Sequence, residues 1–409
     1  MSIVVQKFGG TSVGSIERIQ AVAEIIAHTY AQGKQCVAVV SAMGKSTDHL
    51  VGMAKEICPH PSPREMDMLL TTGEQVSIAL LSMALHQKGL KARSLTGWQA
   101  GIETNHVHGR AMVNDVKTET IMNALEQGEV VVVAGFQGIS PDKEITTLGR
   151  GGSDTTAVVL ASALKADYCE IYTDVTGVYT ADPRVIPLAQ KMDEISYEEM
   201  LELAHLGAGV LHPRSVEAAL QNKVQLMVRS SFVDEPGTWV KEENAMETSH
   251  NVRGIAHDLQ VARIKVLGLP NHENTLTKLF GLLAEAHINV DIIVQSEHDH
   301  ERVDVAFSVN EEEGLEARQV LEAAQAELGF AKILYEAGLA KVSAVGVGMM
   351  TRPGVAAKMF ATLSEAGIRV KMVSTSEIKI SCVVERELAL EGARRLHTAF
   401  GLDQVEVKV

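Results

Sequence analysis

The chain holds 409 residues, 46% hydrophobic and 22% charged, enough for two or three cored domains of roughly 100 to 200 residues each. Its 37 Lys and Arg stand against 52 Asp and Glu, a formal charge of -15, which opposes electrostatic binding to nucleic-acid phosphates and to anionic membrane surfaces. The start, Met1 to Lys7, has no basic leader followed by an apolar stretch, and no unbroken apolar run nears the roughly 18 residues of a membrane span, so a cytoplasmic location is expected.

In chain order, the first 245 residues alternate short β-branched runs with helical patterns, which predicts a largely parallel sheet covered by helices on both faces. Strands are expected at Ile3 to Gln6, Cys36 to Val40, Val130 to Ala134, Cys169 to Thr173 and Val224 to Val228. Ile16, Ile19, Val22, Ala23 and Ile26 recur at three- and four-residue intervals, as on one buried helix face ending near Gly33. Cys36, Cys58, Cys169 and Cys382 stand singly, without CxxC spacing, and read as reduced. The pairs His106/His108 and His298/His300 lie in polar, turn-rich stretches and read as solvated loops, so no metal site built from protein side chains is expected.

Two familiar phosphate signatures fail. Gly44-Lys45-Ser46 would end a P-loop only with a glycine five residues before Gly44, where Val39 stands. Gly149 to Asp154 places Asp154 where the dinucleotide fingerprint needs its last glycine. Lys7-Phe8-Gly9-Gly10-Thr11-Ser12, between the first strand and a helix, remains: two residues without a Cβ let backbone N–H groups approach an anion, and Lys7 adds a charge suited to a transferring phosphoryl group. A tight turn would explain the glycines equally well. The segment Thr146 to Thr156 precedes a helix predicted at Ala157 to Leu164; Arg150 can grip a carboxylate bidentately and Asp154 can accept from an ammonium, a pair suited to an amino acid, although a helix cap and a surface charge are the plainer reading. The strand-following loops Ser41 to Thr47 and Leu69 to Glu74 should converge on the same crevice, with Glu74 opening an apolar helix, Val76 to Leu85. Tyr172 to Arg184 combines turn formers, an aromatic ring and an arginine, materials for covering a base and gripping phosphates.

Asp234 to Asn251, polar and acidic with Pro236 and Gly237, reads as a boundary. Beyond it, shifting the chain by 80 residues lays Lys278, Phe280, Leu283, Glu285, Ala286, Ile288, Val290, Ser296 and Glu297 on Lys358, Phe360, Leu363, Glu365, Ala366, Ile368, Val370, Ser376 and Glu377. Each copy reads βαββα with a short final strand, a ferredoxin-like module, its strands including Ile264 to Leu267 and Val303 to Val309 in the first copy and Val342 to Val347 and Ile378 to Val384 in the second.

Taken together, KFGGTSV, VVSAMGKST, TTGEQVS, ITTLGRGGSDTTA, YTDVTGVYTADPR and VLHPRSVE, in this order, resemble the aspartate kinases of the amino acid kinase family, and the repeat looks like their paired ACT domains. The resemblance covers essentially the whole chain. It implies a three-layer αβα kinase domain over residues 1–245, a linker and first ACT domain of the βαββαβ type over 246–337 and a second over 338–409. It implies transfer of phosphate from ATP with Mg²⁺ to the side-chain carboxylate of L-aspartate, giving 4-phospho-L-aspartate, the first step toward lysine, threonine, methionine and diaminopimelate. Carried over residue by residue, Lys7 and Asp154 would be catalytic, and Lys7, Phe8, Gly9, Gly10, Ser41, Ser153, Thr173, Asp174, Tyr179 and Arg184 would meet ATP. Thr47, Glu74, Arg150, Gly151, Gly152 and Ser153 would hold aspartate, Glu74 taking its α-amino group and Arg150 its α-carboxylate. Asn289, Val290, Asp291, Gln295, Lys371, Met372, Ser376 and Glu377 would meet an effector amino acid, lysine first and threonine next, with chains associating through the ACT modules or with a shorter regulatory chain starting near Met246.

Two departures stand out. Gly209 replaces the lysine that some members carry before VLHP, and His272-Glu273-Asn274 stands where the second copy has Arg352-Pro353-Gly354. Two other readings are an amino acid kinase acting on glutamate or a related carboxylate, and a non-catalytic amino-acid sensor; the presence of Lys7, Gly9, Gly10, Arg150 and Asp174 speaks against the second.

Overall fold

The run Val130–Ala134 is buried at every position, as a strand covered on both faces must be. In the computed structural model, which describes residues 2–207, 209–242, 251–297, 301–349 and 353–404, it lies in an eight-stranded sheet. The strand order is Glu194–Ser196, Thr238–Lys241, Leu226–Ser230, Tyr168–Thr173, Ile3–Phe8, Gln35–Val40, Val130–Ala134 and Ala92–Leu95. From Leu226–Ser230 to Ala92–Leu95 all neighbours are parallel, so their carboxyl ends share one edge.

Alternation along Ile3–Phe8 then assigns the side chains. Phe8 packs with Ile19, Val22, Ala23 and Ile26 of helix Ile16–Ala31 and with Ile78, Leu81 and Leu85 of helix Thr72–Gln87. Lys7 emerges on the opposite face, where helix Gly152–Ala163 covers the sheet and packs against Pro213–Asn222. That helix begins five residues before the predicted Ala157, because Gly151 adopts a left-handed conformation, φ 70°, that turns the chain into it. The helical run Pro63–Gln87 is long and apolar enough by composition to cross a membrane, although Arg64, Glu65, Asp67 and Glu74 interrupt it. Its apolar face is instead core of this unit, and it carries two buried carboxylates, Asp67 and Glu74. Cys36 and Cys169 are buried in their strands as expected.

The chain separates into two compact units, and the first does not run unbroken to residue 245: Tyr179–Gln190 clusters with the second. Ala181, Ile186 and Ala189 are the reason, since they need a core and find it among Val355, Met359 and Leu396. Thr180 Oγ1 meets Nε2 of the fully buried His397 at 2.9 Å, and Arg394 Nε donates to the Val185 carbonyl at 3.2 Å. Burial holds the His397 imidazole below its usual pKa.

The second unit is a six-stranded sheet in the order Val290–Glu297, Arg302–Asn310, Gly254–Pro270, Lys332–Val345, Lys379–Glu385, Met372–Thr375. Helices Thr275–Glu285 and Glu311–Ala323 complete one βαββα copy, Val355–Glu365 and Arg386–Ala399 the other. The two copies share their central strands. Lys332 to Glu336 pairs with Arg263 to Leu267, whereas Leu339 to Val345 pairs with Gly254 to Val261 and with Lys379–Glu385. The expected division between 337 and 338 lies inside the strand Lys332–Val345 at a register shift, where Ala337 and Gly338 drop out of the pairing with Gly254–Pro270 and the Gly338 N–H donates to Glu311 Oε1 at 3.0 Å. Met246, Arg352 and the pair His298/His300 lie outside the described residues.

Candidate active site

At the shared carboxyl edge, each strand end is tied to the next. Ser41 N–H donates to the Phe8 carbonyl at 3.1 Å, Gly135 N–H to Val40 at 3.0 Å, and Gly9 N–H to Tyr172 at 3.4 Å. Phe8 and Tyr172 stack with ring centroids 4.6 Å apart. Gly9 and Gly10 close the first strand; Gly10 has no room for a side chain, and one on Gly9 would crowd the Lys7 ammonium. A Cβ on Gly9 would lie 3.3 Å from Lys7 Nζ, and one on Gly10 2.9 Å from the Ala42 carbonyl.

Lys7 Nζ stands 2.6 Å from Asp154 Oδ1, with both side chains mostly enclosed. Asp154 occupies the first turn of Gly152–Ala163, and Arg150 precedes it by four residues in the loop that enters the helix, so the two cations attend the same end of that helix. Arg150 is exposed and Ser153 buried, with Ser153 Cβ 2.8 Å from where a Cβ on Gly135 would stand. Gly151 lies under the His212 ring: a Cβ there would be 2.1 Å from its Cγ. Burial lowers the His212 pKa, so the ring caps the loop as a neutral group, its Nδ1 accepting from Arg214 N–H at 3.3 Å.

Glu74 is 3% exposed. Its Oε1 accepts from Ala42 N–H at 3.2 Å, and its buried Oε2 has no hydrogen-bond partner. Burial pushes its pKa up to about 7, opposed by backbone N–H groups and by Gln137. An unpartnered oxygen on a buried carboxylate is costly and suits an incoming cation. Thr47 lies in the first turn of Ser46–Ile57, reached from Gly44, whose N–H donates to the Gly10 carbonyl at 3.0 Å.

Thr173 Oγ1 donates to Asp174 Oδ1 at 3.1 Å, and the Thr173 carbonyl accepts from Ser231 N–H at 3.0 Å. The structure thus gathers Lys7, Gly9, Gly10, Ser41, Ser153, Asp154, Thr173 and Asp174 along one edge. Tyr179 and Arg184 fall in the second unit, where Tyr179 packs on the apolar core and the exposed Arg184 pairs with Asp182 at 2.9 Å. Among the described residues no cluster of His, Cys, Asp and Glu could hold a metal ion.

Of the expected effector residues, Lys371 and Met372 border a cavity of about 420 Å³, together with Lys265, Val294, Ser296 and Asp304. The two outer strands of the six-stranded sheet approach each other there, since Ile292 and Met372 share one apolar cluster. Asp291 pairs with Lys341, and Lys371 with Glu336 at 2.8 Å. Asn289, Val290, Asp291, Gln295, Ser376 and Glu377 stay outside the cavity lining.

Sequence reasoning missed several polar anchors. Arg214, in the quoted VLHPRSVE string, donates to the carbonyls of Leu148 and, at 3.0 Å, Ala111. Arg18 Nη2 donates to the Ser231 carbonyl at 2.6 Å, and the Arg18 Cζ lies 3.9 Å from the Phe232 ring centroid. Asp67 lies between Met66 and Met68 in a helix that also carries the exposed Glu65, so nothing in the string separated the buried acid from the solvated one. His108, expected in a solvated loop, is its partner at 2.7 Å.

Residues 2–230 match the profile of the amino acid kinase family, and residues 342–400 that of the ACT domain. The aspartokinase of Geobacillus stearothermophilus is 57% identical over 402 residues, 98% of this chain and 98% of its own. The structure of E. coli aspartokinase III in complex with aspartate and ADP superposes with a TM-score of 0.83 at 28% identity, over 97% of this chain and 99% of that one. The same enzyme in complex with lysine and aspartate gives 0.77 at 27%, over 97% and 99%. The fold and the glycine-lined edge define a member of the amino acid kinase family with an ACT-type second unit. Within that family the chain belongs to the aspartokinases.

The raised Glu74 pKa has a consequence for stability. Between the ordinary value of 4.5 and about 7 the folded chain keeps a proton that the unfolded chain has lost, so stability falls as pH rises through that window and is level above it. The loss is at most about 3 kcal/mol. Glu74→Gln is expected to remove it, so the difference in denaturation midpoint between variant and parent should grow from pH 4.5 to 7; a constant difference would show that another group titrates.

Proposed function

We propose that this chain transfers the γ-phosphoryl group of ATP to the β-carboxylate of L-aspartate, forming 4-phospho-L-aspartate. The observation that carries the reading is the Lys7–Asp154 pair at 2.6 Å, set between a side-chain-free loop and a helix start. The β-carboxylate has a reference pKa near 4, so it is already a nucleophile at pH 7 and needs no general base. What the protein must supply is alignment and charge. The Gly10 N–H and the ammonium of Lys7 receive the phosphate tail beside the side-chain-free Gly9, and Asp154 orients that ammonium. Mg²⁺ bound with ATP would shield the phosphate oxygens. Ser41, Thr173 and Asp174 border the nucleotide. Ser153 lies between nucleotide and amino acid.

At the amino-acid end, Arg150 grips the α-carboxylate while Thr47 and the Gly151 and Gly152 backbone line the zwitterion. The unpartnered Glu74 oxygen takes the α-ammonium. An ammonium there favours the ionised carboxylate, so the KM for aspartate should fall as pH rises toward 7 and level off above; a pH-independent KM would remove Glu74 from this role.

The ACT-type unit supports feedback inhibition by an end-product amino acid, lysine before threonine, with Asp291 and Glu377 offering carboxylates to its ammonium groups and Asn289, Gln295 and Ser376 further polar contacts. The E. coli relative in complex with lysine supports that order. Association of chains through these modules, or with a shorter chain starting near Met246, belongs to the same proposal, as does a cytoplasmic place at the head of lysine, threonine, methionine and diaminopimelate synthesis.

Trapping the product with hydroxylamine tests the reaction directly. Aspartate should yield the hydroxamate together with ADP, and lysine should lower the yield at subsaturating aspartate. Hydroxamate formed only from glutamate would overturn the substrate assignment, and indifference to lysine would overturn the effector. Lys7→Ala should lower kcat by about 10²- to 10³-fold with little change in aspartate KM. Arg150→Ala should instead raise that KM roughly 10- to 100-fold; equal effects of the two variants on both constants would count against both roles.

A further inference from the structure

Asp67 touches no part of the pocket edge, yet it is 1% exposed and accepts from three donors. Its Oδ1 takes the Thr147 hydroxyl at 2.5 Å, Oδ2 takes His108 Nδ1 at 2.7 Å, and both oxygens lie 3.1 Å from the Gly109 N–H. A carboxylate is acceptor-only, so the ring nitrogen is the donor. These partners come from two segments about 40 and 80 residues along the chain, and a buried carboxylate so satisfied holds each at a fixed distance.

Thr147 stands three residues before Arg150. Its carbonyl accepts from Ala111 N–H at 2.9 Å, and Arg214 spans the Ala111 and Leu148 carbonyls. Gly149 passes so close to the other segment that a Cβ on it would lie 2.9 Å from the Gly109 carbonyl. On its own side Asp67 sits in helix Pro63–Leu70, which leads through Thr71 into the helix of Glu74, and the Thr71 carbonyl is pinned by Gln137 Nε2 at 3.0 Å. One carboxylate thus joins the support of Glu74 to the loop of Arg150.

We infer that Asp67 is a positioning residue for the amino-acid substrate, fixing the separation between the Arg150 guanidinium and the Glu74 carboxylate so that both ends of one zwitterion are met together. The inference rests on the reading of those two groups as aspartate ligands. Carboxylate and ammonium share one carbon, so the two grips tolerate little error; displacement by about 1 Å can cost two orders of magnitude.

The test is steady-state kinetics on the full chain carrying Asp67→Asn, which keeps the shape but halves the acceptor capacity, and Thr147→Val, which removes one donor and spares the acid. Each should raise the aspartate KM roughly tenfold while leaving the ATP KM within about twofold. Added to Arg150→Ala, Asp67→Asn should have little further effect on aspartate KM, because the group it places is already gone. A merely structural role would lower thermal stability and move both KM values alike, or multiply in full on Arg150→Ala, and either result overturns the inference. Should Asp67→Asn fail to fold, Thr147→Val decides by the same criteria. If Arg150→Ala raises the aspartate KM while neither other variant does, the inference fails alone; if Arg150→Ala leaves it unchanged, the underlying ligand assignment fails and takes the inference with it.

Discussion

Side-chain alternation along the strand Ile3–Phe8 is the constraint on which the site depends. Gln6 and Phe8 belong to the face of helix Ile16–Ala31, Gln6 donating to Thr29 Oγ1 at 3.0 Å. Lys7 must therefore leave the sheet on the other side, at its carboxyl edge, where the first turn of Gly152–Ala163 presents Asp154. A one-residue slip of this strand against Gln35–Val40 and Tyr168–Thr173 would turn the ammonium into the apolar layer and Phe8 toward solvent. Parallel pairing on both sides forbids that slip, because it would expose a wholly buried ring.

Around this pair, the edge is built from glycines where backbone must approach and from buried acids where loops must be held. Gly10 and Gly151 occupy places where a Cβ would strike the Ala42 carbonyl and the His212 ring, and Gly9 one where it would crowd the Lys7 ammonium. Glu74 and Asp67 lie seven residues apart on consecutive helices and show two uses of a buried carboxylate. Asp67 is saturated by donors and holds structure; Glu74 keeps an oxygen in reserve, and burial raises its pKa as a result.

In the second unit the long antiparallel strands Gly254–Pro270 and Lys332–Val345 make two repeats into one sheet. Its outer strands meet over Ile292 and Met372, and ion pairs join the copies: Arg263 to Glu336, Glu336 to Lys371, and Lys341 to Asp291. A group of charges held this way costs less side-chain entropy than isolated pairs, since ordering one member orders its neighbours. The segment Tyr179–Gln190 shares this unit's core through Ala181 and Ile186, directly after the strand that carries Thr173.

Much of this was legible beforehand. Five strands and the 80-residue repeat follow from local signals: β-branched runs, turn formers and self-similarity. Such signals depend on neighbours a few positions away, which is the range over which backbone sterics and amphipathic spacing act. Asp67, Arg214 and the placement of Tyr179–Gln190 were decided only when distant segments met. An arginine in VLHPRSVE reads the same whether it faces water or clamps carbonyls 66 and 103 residues back. Its role is fixed by where two unpaired backbone groups end up after folding, and a linear string carries no record of that distance.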